Sequence, residues 1–348
     1  MRILGIETSC DETAVGIVDN GRELLANVVG SQIEVHARYG GIVPEVASRQ
    51  HMLAMLPIYR EALNSAQIRQ DSLDAVAVTV GPGLAGSLIV GVNFAKGMAF
   101  ALGLPLLGIN HLDGHVYGAW LEDGPDPDVR PGFPLICLIA SGGHTDLLLM
   151  KEHSIYTLLG GTRDDAAGEA FDKVARVLGL GFPGGPQIER LARRATAPER
   201  LPRAWMKGNL EFSFSGLKTA TLHRARDLGV ESQQVETDDS SSDASVETIA
   251  ANVAAGFQES VIDVLVHKAV SAARKYHAAG IILSGGVAAN SALRLELETR
   301  SPVPVIMPRP SLCTDNGAMV AAAGFFGRNR TKPSFVEDVV PSLRLGTI

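Results

Sequence analysis

The stretch that decides the fold opens the chain: residues 1–29 read MRILGIETSCDETAVGIVDNGRELLANVV. Arg2–Thr8 has the apolar run of a buried strand. Thr13–Val18 follows as a second strand, with Val15 and Ile17 alternating. Asp19-Asn20-Gly21 is a hairpin signal, because Asn-Gly accepts the positive φ angles of a type I′ turn. Glu23–Val29 completes a strand–loop–strand–turn–strand unit. The same order returns later. Leu135–Ala140 reads as a strand, Ser141-Gly142-Gly143-His144 as a small-residue loop, Thr145–Lys151 as a strand and Ser154–Leu159 as a third. The two passages share pattern and almost no residue identity, which predicts a duplicated architecture.

Between and after these units the pattern alternates. Glu45–Ala66 has helical spacing, with Val46, Leu53, Leu56 and Leu63 as its expected core stripe and a kink expected at Pro57. Leu73–Val80 reads as a strand, Ser87–Leu102 as a helix, Leu104–Ile109 as a strand and Asn110–Leu121 as a helix. Further on come helices at Ala166–Leu178 and Ala250–Tyr276, a strand at Gly280–Ser284 and a helix starting near Ala289. Strands alternating with helices define an α/β fold. Residues 123–134 (DGPDPDVRPGFP) are the expected boundary, dividing the chain into a first lobe 1–123, a linker 124–134 and a second lobe 135–348. The Ser-rich acidic segment 231–248 reads as a solvated insertion.

Bulk properties bound the function. Forty-six per cent of the residues are hydrophobic, which suits a packed core. The net charge of −7 argues against a wholly basic nucleic-acid binder but leaves room for a local basic face. Cys10, Cys137 and Cys313 form no CxxC pair, which suggests a reducing compartment. The chain begins directly with a strand pattern, so no signal peptide is expected. No uninterrupted apolar run reaches the ~18 residues of a membrane span. Cytoplasm is the expected location.

Four passages point to chemistry. His111 and His115, in His111-Leu112-Asp113-Gly114-His115, lie four residues apart, so on a helix both imidazoles face one side and can reach one metal ion. They also fit an ordinary pair of core histidines. Asp315, before the apolar stretch Ala318–Phe326, suits either a third ligand or a helix N-cap. The loop at Ser141–His144 can turn backbone N–H groups toward an anion, and the segment Glu7–Thr13 occupies the equivalent turn of the first unit. Either loop also suits a plain hairpin. Ser284-Gly285-Gly286 opens toward Asn290 after a buried strand, and glycine there lets a nucleoside lie against the backbone. Gly184-Gly185-Pro186, Glu189 and Asp172 are candidates for its hydroxyl side. No GxxxxGK[ST] sequence is present, so a P-loop site is not indicated.

Taken together, IETSCDETAV (6–15), GIVPEVASRQ (41–50), VGPGLAG (80–86), NHLDGH (110–115), SGGHTD (141–146), GEAFDK (168–173), FPGGP (182–186), FSFSGLKT (212–219), LSGGVAAN (283–290) and TDNGAM (314–319) resemble the universal tRNA N6-adenosine threonylcarbamoyltransferase family, of the bacterial TsaD type. The motifs run in the family's order over nearly the whole chain. The resemblance implies an ASKHA fold (actin, sugar kinase, Hsp70), with two duplicated lobes around a nucleotide cleft. It implies that His111, His115 and Asp315 hold one divalent metal ion, iron in the family, with zinc chemically reasonable for the same ligands. It implies that Ile139, Ala140, Ser141, Gly142, Gly143, Asp172, Gly185, Glu189 and Asn290 contact the substrate adenylate, the Glu189 position being the more variable.

The implied reaction moves the threonylcarbamoyl group of threonylcarbamoyl-AMP to N6 of the adenosine next to the anticodon, in tRNAs reading ANN codons, and releases AMP. The implied partners are tRNA, a paralogous ASKHA subunit (TsaB type) and a P-loop ATPase (TsaE type), with no membrane. No covalent nucleophile stands out, and Glu12 is the one named candidate for a general base. Three rivals share features of the sequence. A metallopeptidase needs Glu directly after the first histidine, where this chain has Leu112. A small-molecule kinase shares the fold, and fold does not fix function. A nucleotide-dependent scaffold would leave the histidine pair without a task.

Residues 190–226 carry nine basic side chains, Arg190, Arg193, Arg194, Arg200, Arg203, Lys207, Lys218, Arg224 and Arg226, against Glu199 and Glu211. A basic segment beside the expected nucleotide side suits a path for a polyanion.

Overall fold

The computed structural model describes residues 1–121, 128–230, 244–329 and 338–345. Five strands form the first sheet: β1 (Arg2–Glu7), β2 (Glu12–Asp19), β3 (Glu23–Ser31), β4 (Ala75–Gly81) and β5 (Leu106–Asn110). Five more form the second: β6 (Leu135–Ala140), β7 (Thr145–Glu152), β8 (Ile155–Gly161), β9 (Gly280–Ser284) and β10 (Val305–Ile306). The first is ordered β3-β2-β1-β4-β5 and the second β8-β7-β6-β9-β10, so the two sheets have one topology. In each, a three-stranded antiparallel meander is extended by two parallel strands. The expected duplication is present. The hairpin at the end of β2 carries positive φ at both Asn20 and Gly21.

The helices are α1 (Ile33–Ala37), α2 (Pro44–Ser65), α3 (Ala85–Leu102), α4 (His111–Tyr117), α5 (Ala167–Val177), α6 (Gly184–Ala192), α7 (Ser215–Asp227), α8 (Ala244–Lys275), α9 (Ser291–Arg300) and α10 (Gly317–Gly327). Side-chain parity sorts them into layers. On β1, Leu4 and Ile6 join the cluster that packs against α2 and α3. Ile3 faces the opposite way, into a cluster shared with α4, α10 and the second sheet's Leu135, Cys137, Ile139, Leu148 and Ile282. Ile136, Leu138, Leu147 and Leu283 point outward to α5 through α9. The result is five layers, with α4 and α10 between two sheets buried on both faces. Such strands read as near-continuous apolar runs.

The middle layer is thin because its residues are small. A Cβ on Gly16 would lie 2.1 Å from the backbone nitrogen of Ala318, and one on Gly5 would lie 2.2 Å from the carbonyl oxygen of Gly317. Backbone therefore touches backbone where α10 crosses β1 and β2. This crossing helix comes from the stretch expected in the second lobe, yet it packs on the first sheet. Val340 also donates its N–H to Val80, so the chain's last described residues return to the first sheet as well. Residues 124–127 of the expected linker and 231–243 of the acidic segment lie outside the described residues.

Two expectations need correction. On α2 the buried residues are Ala47, His51, Met55, Ile58, Tyr59 and Ala62, while Leu53 is 71% exposed and Leu56 43%. The helix is apolar on its outer side too, so its hydrophobic pattern does not single out the core face. Pro57 lies inside the helix. Further, α3 and Ser245–Lys275 are long and apolar enough, by length and composition, to cross a membrane. The expectation rests on uninterrupted apolar runs, and a helix tolerates an occasional polar residue. Most of the α8 window, 78%, is buried in the protein, and it is the core helix of the second half.

Candidate active site and metal centre

Both sheets end their parallel strands toward one region, where ligands of open α/β sheets bind. Asn110 at the end of β5 caps α4, its side-chain oxygen accepting from the N–H of Leu112. The helix then carries His111 and His115 on its inner side, 6% and 2% exposed. Asn316, not Asp315, is the N-cap of α10: its side-chain oxygen accepts from the N–H of Met319. That frees the Asp315 carboxylate, whose Oδ1 lies 3.2 Å from His115 Nε2 and 3.6 Å from His111 Nε2.

The three ligand atoms lie within 4.8 Å of one another. Ligands about 2.0–2.2 Å from a common ion stand roughly 3–3.5 Å apart at tetrahedral angles. His115 Nε2 is buried and, despite its nearness to Asp315, makes no hydrogen bond. A buried imidazole nitrogen without a hydrogen bond, facing a carboxylate, fits a metal ligand. Two imidazoles and one carboxylate suit iron or zinc.

The electrostatics follow from burial and proximity. Burial opposes a charge on His111, but the Asp315 and Glu7 carboxylates outweigh it and raise its pKa to about 9. Burial likewise opposes ionised Asp315, and His111 and His115 outweigh it, holding the carboxyl well below its usual range. His144 feels burial first and then the positive charge of His111 and His115, which together lower it to about 4. The Ser141–His144 loop is therefore close to the metal group and presents a neutral imidazole. Glu12 lies where burial, then Asp315 and Asp11, raise its pKa to about 10.

The remaining candidates gather at the ends of β6 and β9. Ser141 N–H donates to His144 O at 2.8 Å, and Gly168 N–H at the start of α5 donates to Ser141 O at 3.1 Å. Nothing lies within 4 Å of a Cβ placed on Gly142, Gly143, Gly185 or Gly286, so each borders open space. Gly285 has φ +87° and a Cβ there would meet Ala140 O at 2.4 Å, which only glycine permits. Ile139 and Ala140 are fully buried strand residues, so only their backbone can face a ligand.

Asp172 accepts the N–H of Gly184 at 2.7 Å and sets the start of α6 against α5. Glu189 Oε1 accepts from Ser291 N–H at 3.2 Å, from the Ser291 hydroxyl and from Arg193 Nη2 at 2.7 Å. Those bonds leave its Oε2 without a described partner. Asn290 caps α9 through Leu293 and gives one amide hydrogen to Gln258 Oε1 at 2.8 Å. Sequence reasoning alone misses Gln258, Ser291 and Thr79, and it names Glu7 only as part of an anion-facing turn. Glu7 and Thr79 share a signal, a carboxylate and a hydroxyl near the ends of strands that are largely apolar.

Fold and site together define an ASKHA-type α/β protein with a two-histidine, one-carboxylate group between its sheets. Among solved structures, component A of (R)-2-hydroxyglutaryl-CoA dehydratase from Acidaminococcus fermentans matches with a TM-score of 0.54 at 16% identity, over 94% of this chain and 98% of that one. Full-length HypF in its phosphate- and nucleotide-bound form matches with 0.58 at 12%, over 94% and 55%. The family model for TsaD, tRNA N6-adenosine threonylcarbamoyltransferase, covers residues 23–322. Proteins of that name are 52% identical in Dehalococcoides mccartyi, over 99% of both chains, and 52% identical in Thermomicrobium roseum, over 94% of this chain and 92% of that one. The chain belongs to the tRNA N6-adenosine threonylcarbamoyltransferase family.

Proposed function

We infer that this chain attaches a threonylcarbamoyl group to N6 of an adenosine in tRNA. The observation that carries the reading is the match to enzymes of that name at 52% identity over 99% of both chains. The peptidase reading lacks a Glu after His111, and the kinase reading rests on fold alone.

The donor is threonylcarbamoyl-AMP, and the acceptor adenosine is the one next to the anticodon. The N6 amine attacks the carbamoyl carbon, the bond from that carbon to the phosphate oxygen breaks, AMP leaves and N6 gives up a proton. His111, His115 and Asp315 would hold one divalent ion, iron or zinc, which supplies Lewis-acid polarisation when bound. The Ser141–Gly143 backbone, with open space over its glycines, suits the donor's phosphate and the developing oxyanion. Gly185, Glu189, Gly285 and Asn290 suit the adenosine, with Glu189 Oε2 able to accept from a ribose hydroxyl.

The tRNA path runs over the basic segment. Its charge is partly spent internally: Arg193 pairs with Glu189, Arg194 with Glu247, Arg203 with Asp263 and Arg224 with Glu199. Arg190, Arg200, Lys207 and Arg226 are exposed and lie in none of the described ion pairs, so they are the side chains offered to phosphate. Protein partners are a paralogous subunit of TsaB type and a P-loop ATPase of TsaE type. The apolar outer side of α2 and α3, with Met52, Leu53, Leu56, Ile89 and Phe100 exposed, supports a protein partner there. The location is the cytoplasm, where tRNA is met.

Mass spectrometry of tRNA nucleosides after incubation with threonylcarbamoyl-AMP, with and without the partner proteins, tests the reading. N6-threonylcarbamoyladenosine is expected. Its absence with all partners present sinks the assignment.

A further inference from the structure

Glu7 is the last residue of β1 and is fully buried. Parity points it inward, to the layer that holds α4. Both its oxygens accept: Oε1 from Ser9 N–H at 2.5 Å, and Oε2 from the Thr79 hydroxyl at 2.6 Å. Oε2 also lies 3.1 Å from His111 Nδ1, and the Ser9 hydroxyl stands at the same distance from that nitrogen. With a backbone N–H and a hydroxyl both donating to it, Glu7 is a hydrogen-bond acceptor set in an apolar layer.

We propose that Glu7 is a positioning residue for the metal group: its carboxylate accepts the Nδ1–H of His111 and so presents the unprotonated Nε2 toward His115 and Asp315. Because both Glu7 oxygens already accept from Ser9 N–H and the Thr79 hydroxyl, the Nδ1 facing Oε2 is the nitrogen suited to carry the proton of a neutral His111 ring. The ring's other nitrogen, Nε2, is the one facing Asp315 at 3.6 Å. Thr79 on β4 fixes the carboxylate in turn, so the order is Thr79 to Glu7 to His111. Outer-shell carboxylates of this kind fix the tautomer and raise the basicity of a ligand imidazole. The inference rests on the proposed metal role of His111, His115 and Asp315.

Glu7→Gln keeps the shape and reverses the polarity. With its oxygen turned to Ser9 N–H, the amide NH2 faces Thr79 and His111, which favours a proton on Nε2, the ligand atom. Zn2+ affinity, measured by competition with a chromophoric chelator, should fall roughly 10–100-fold. The absorption spectrum of the Co2+-loaded variant should shift. Thr79→Val leaves Glu7 in place, removes one of its donors and should weaken Zn2+ severalfold; it decides the question if Glu7→Gln does not fold. Wild-type Zn2+ affinity and an unchanged Co2+ spectrum in a folded Glu7→Gln protein overturn the proposal. So does unchanged affinity in Thr79→Val, should that be the variant that folds. If His111→Ala/His115→Ala also keeps Zn2+, the metal reading itself falls, an outcome distinct from the failure of Glu7 alone.

Discussion

Asp315 Oδ1 stands 3.2 Å from His115 Nε2, across the thin layer between two sheets. The contact joins the last turn of α4 to the loop before α10, two elements from distant parts of the chain. It predicts one metal ion held by three residues. Elemental analysis of folded His111→Ala/His115→Ala protein should find the metal gone, and stoichiometric metal in that variant would sink the assignment.

Asn290 caps α9, and the proposed function also places it on the nucleotide side. Asn290→Ala should therefore cost about 1 kcal/mol of stability through the missing cap. Calorimetry should also show AMP or ADP binding weakened at least about fivefold, the loss of roughly one hydrogen bond. A variant with the expected stability loss and unchanged nucleotide affinity would separate the two purposes and remove Asn290 from the site.

Charge reversal at Arg190, Arg200 and Arg226 should raise the apparent KM for tRNA. It should also flatten its salt dependence by up to about one unit of slope for each phosphate no longer neutralised. Reversal at Arg193 and Arg194 breaks the pairs with Glu189 and Glu247 and is expected to disturb α6 as well. A wild-type KM across a salt series in the first triple variant places the tRNA elsewhere.

Asp146, on β7, has its pKa raised by burial to about 6. The folded chain thus holds a proton that the unfolded chain releases from about pH 4 upward. Its contribution makes stability fall as pH rises through that window, and the loss persists above it. Asp146→Asn removes this slope, so the variant should gain on the wild type between pH 4 and 7 in urea midpoints. A constant difference across that range would contradict the assignment.

Gly317→Ala places a methyl group 2.1 Å from the backbone nitrogen of Gly16. Neither backbone can retreat, since each belongs to a packed element. A loss of about 3 kcal/mol or more is expected in thermal or urea unfolding. A loss under about 1 kcal/mol would mean that α10 can shift away from the sheet.

Much of this is legible in the sequence, for identifiable reasons. Val15 and Ile17 alternate, Asn20-Gly21 turns and the pattern recurs from Leu135, so the strands declare themselves locally. The histidine pair is visible because four residues make about one helical turn. Asp315 is ambiguous because two adjacent residues, Asp315 and Asn316, can both cap a helix, and only the structure shows that Asn316 does so. Leu53 and Leu56 mislead because helical spacing cannot tell a core face from an apolar outer face. Glu7 stands within a motif, but its task depends on Thr79 and His111, which only tertiary packing brings to it.

The backbone contact between Gly5 and Gly317 also governs the order of events during synthesis. The ribosome delivers β1 long before α10, so α10 can cover the inner side of the first sheet only after both sheets' strands have been made. Ile3, Ala75 and Ala77 wait for α10, and the two histidines wait for Asp315. A nascent chain stopped before residue 317 has the strands of the first sheet but not α10 and, if stopped before 315, not the carboxylate that faces the two histidines.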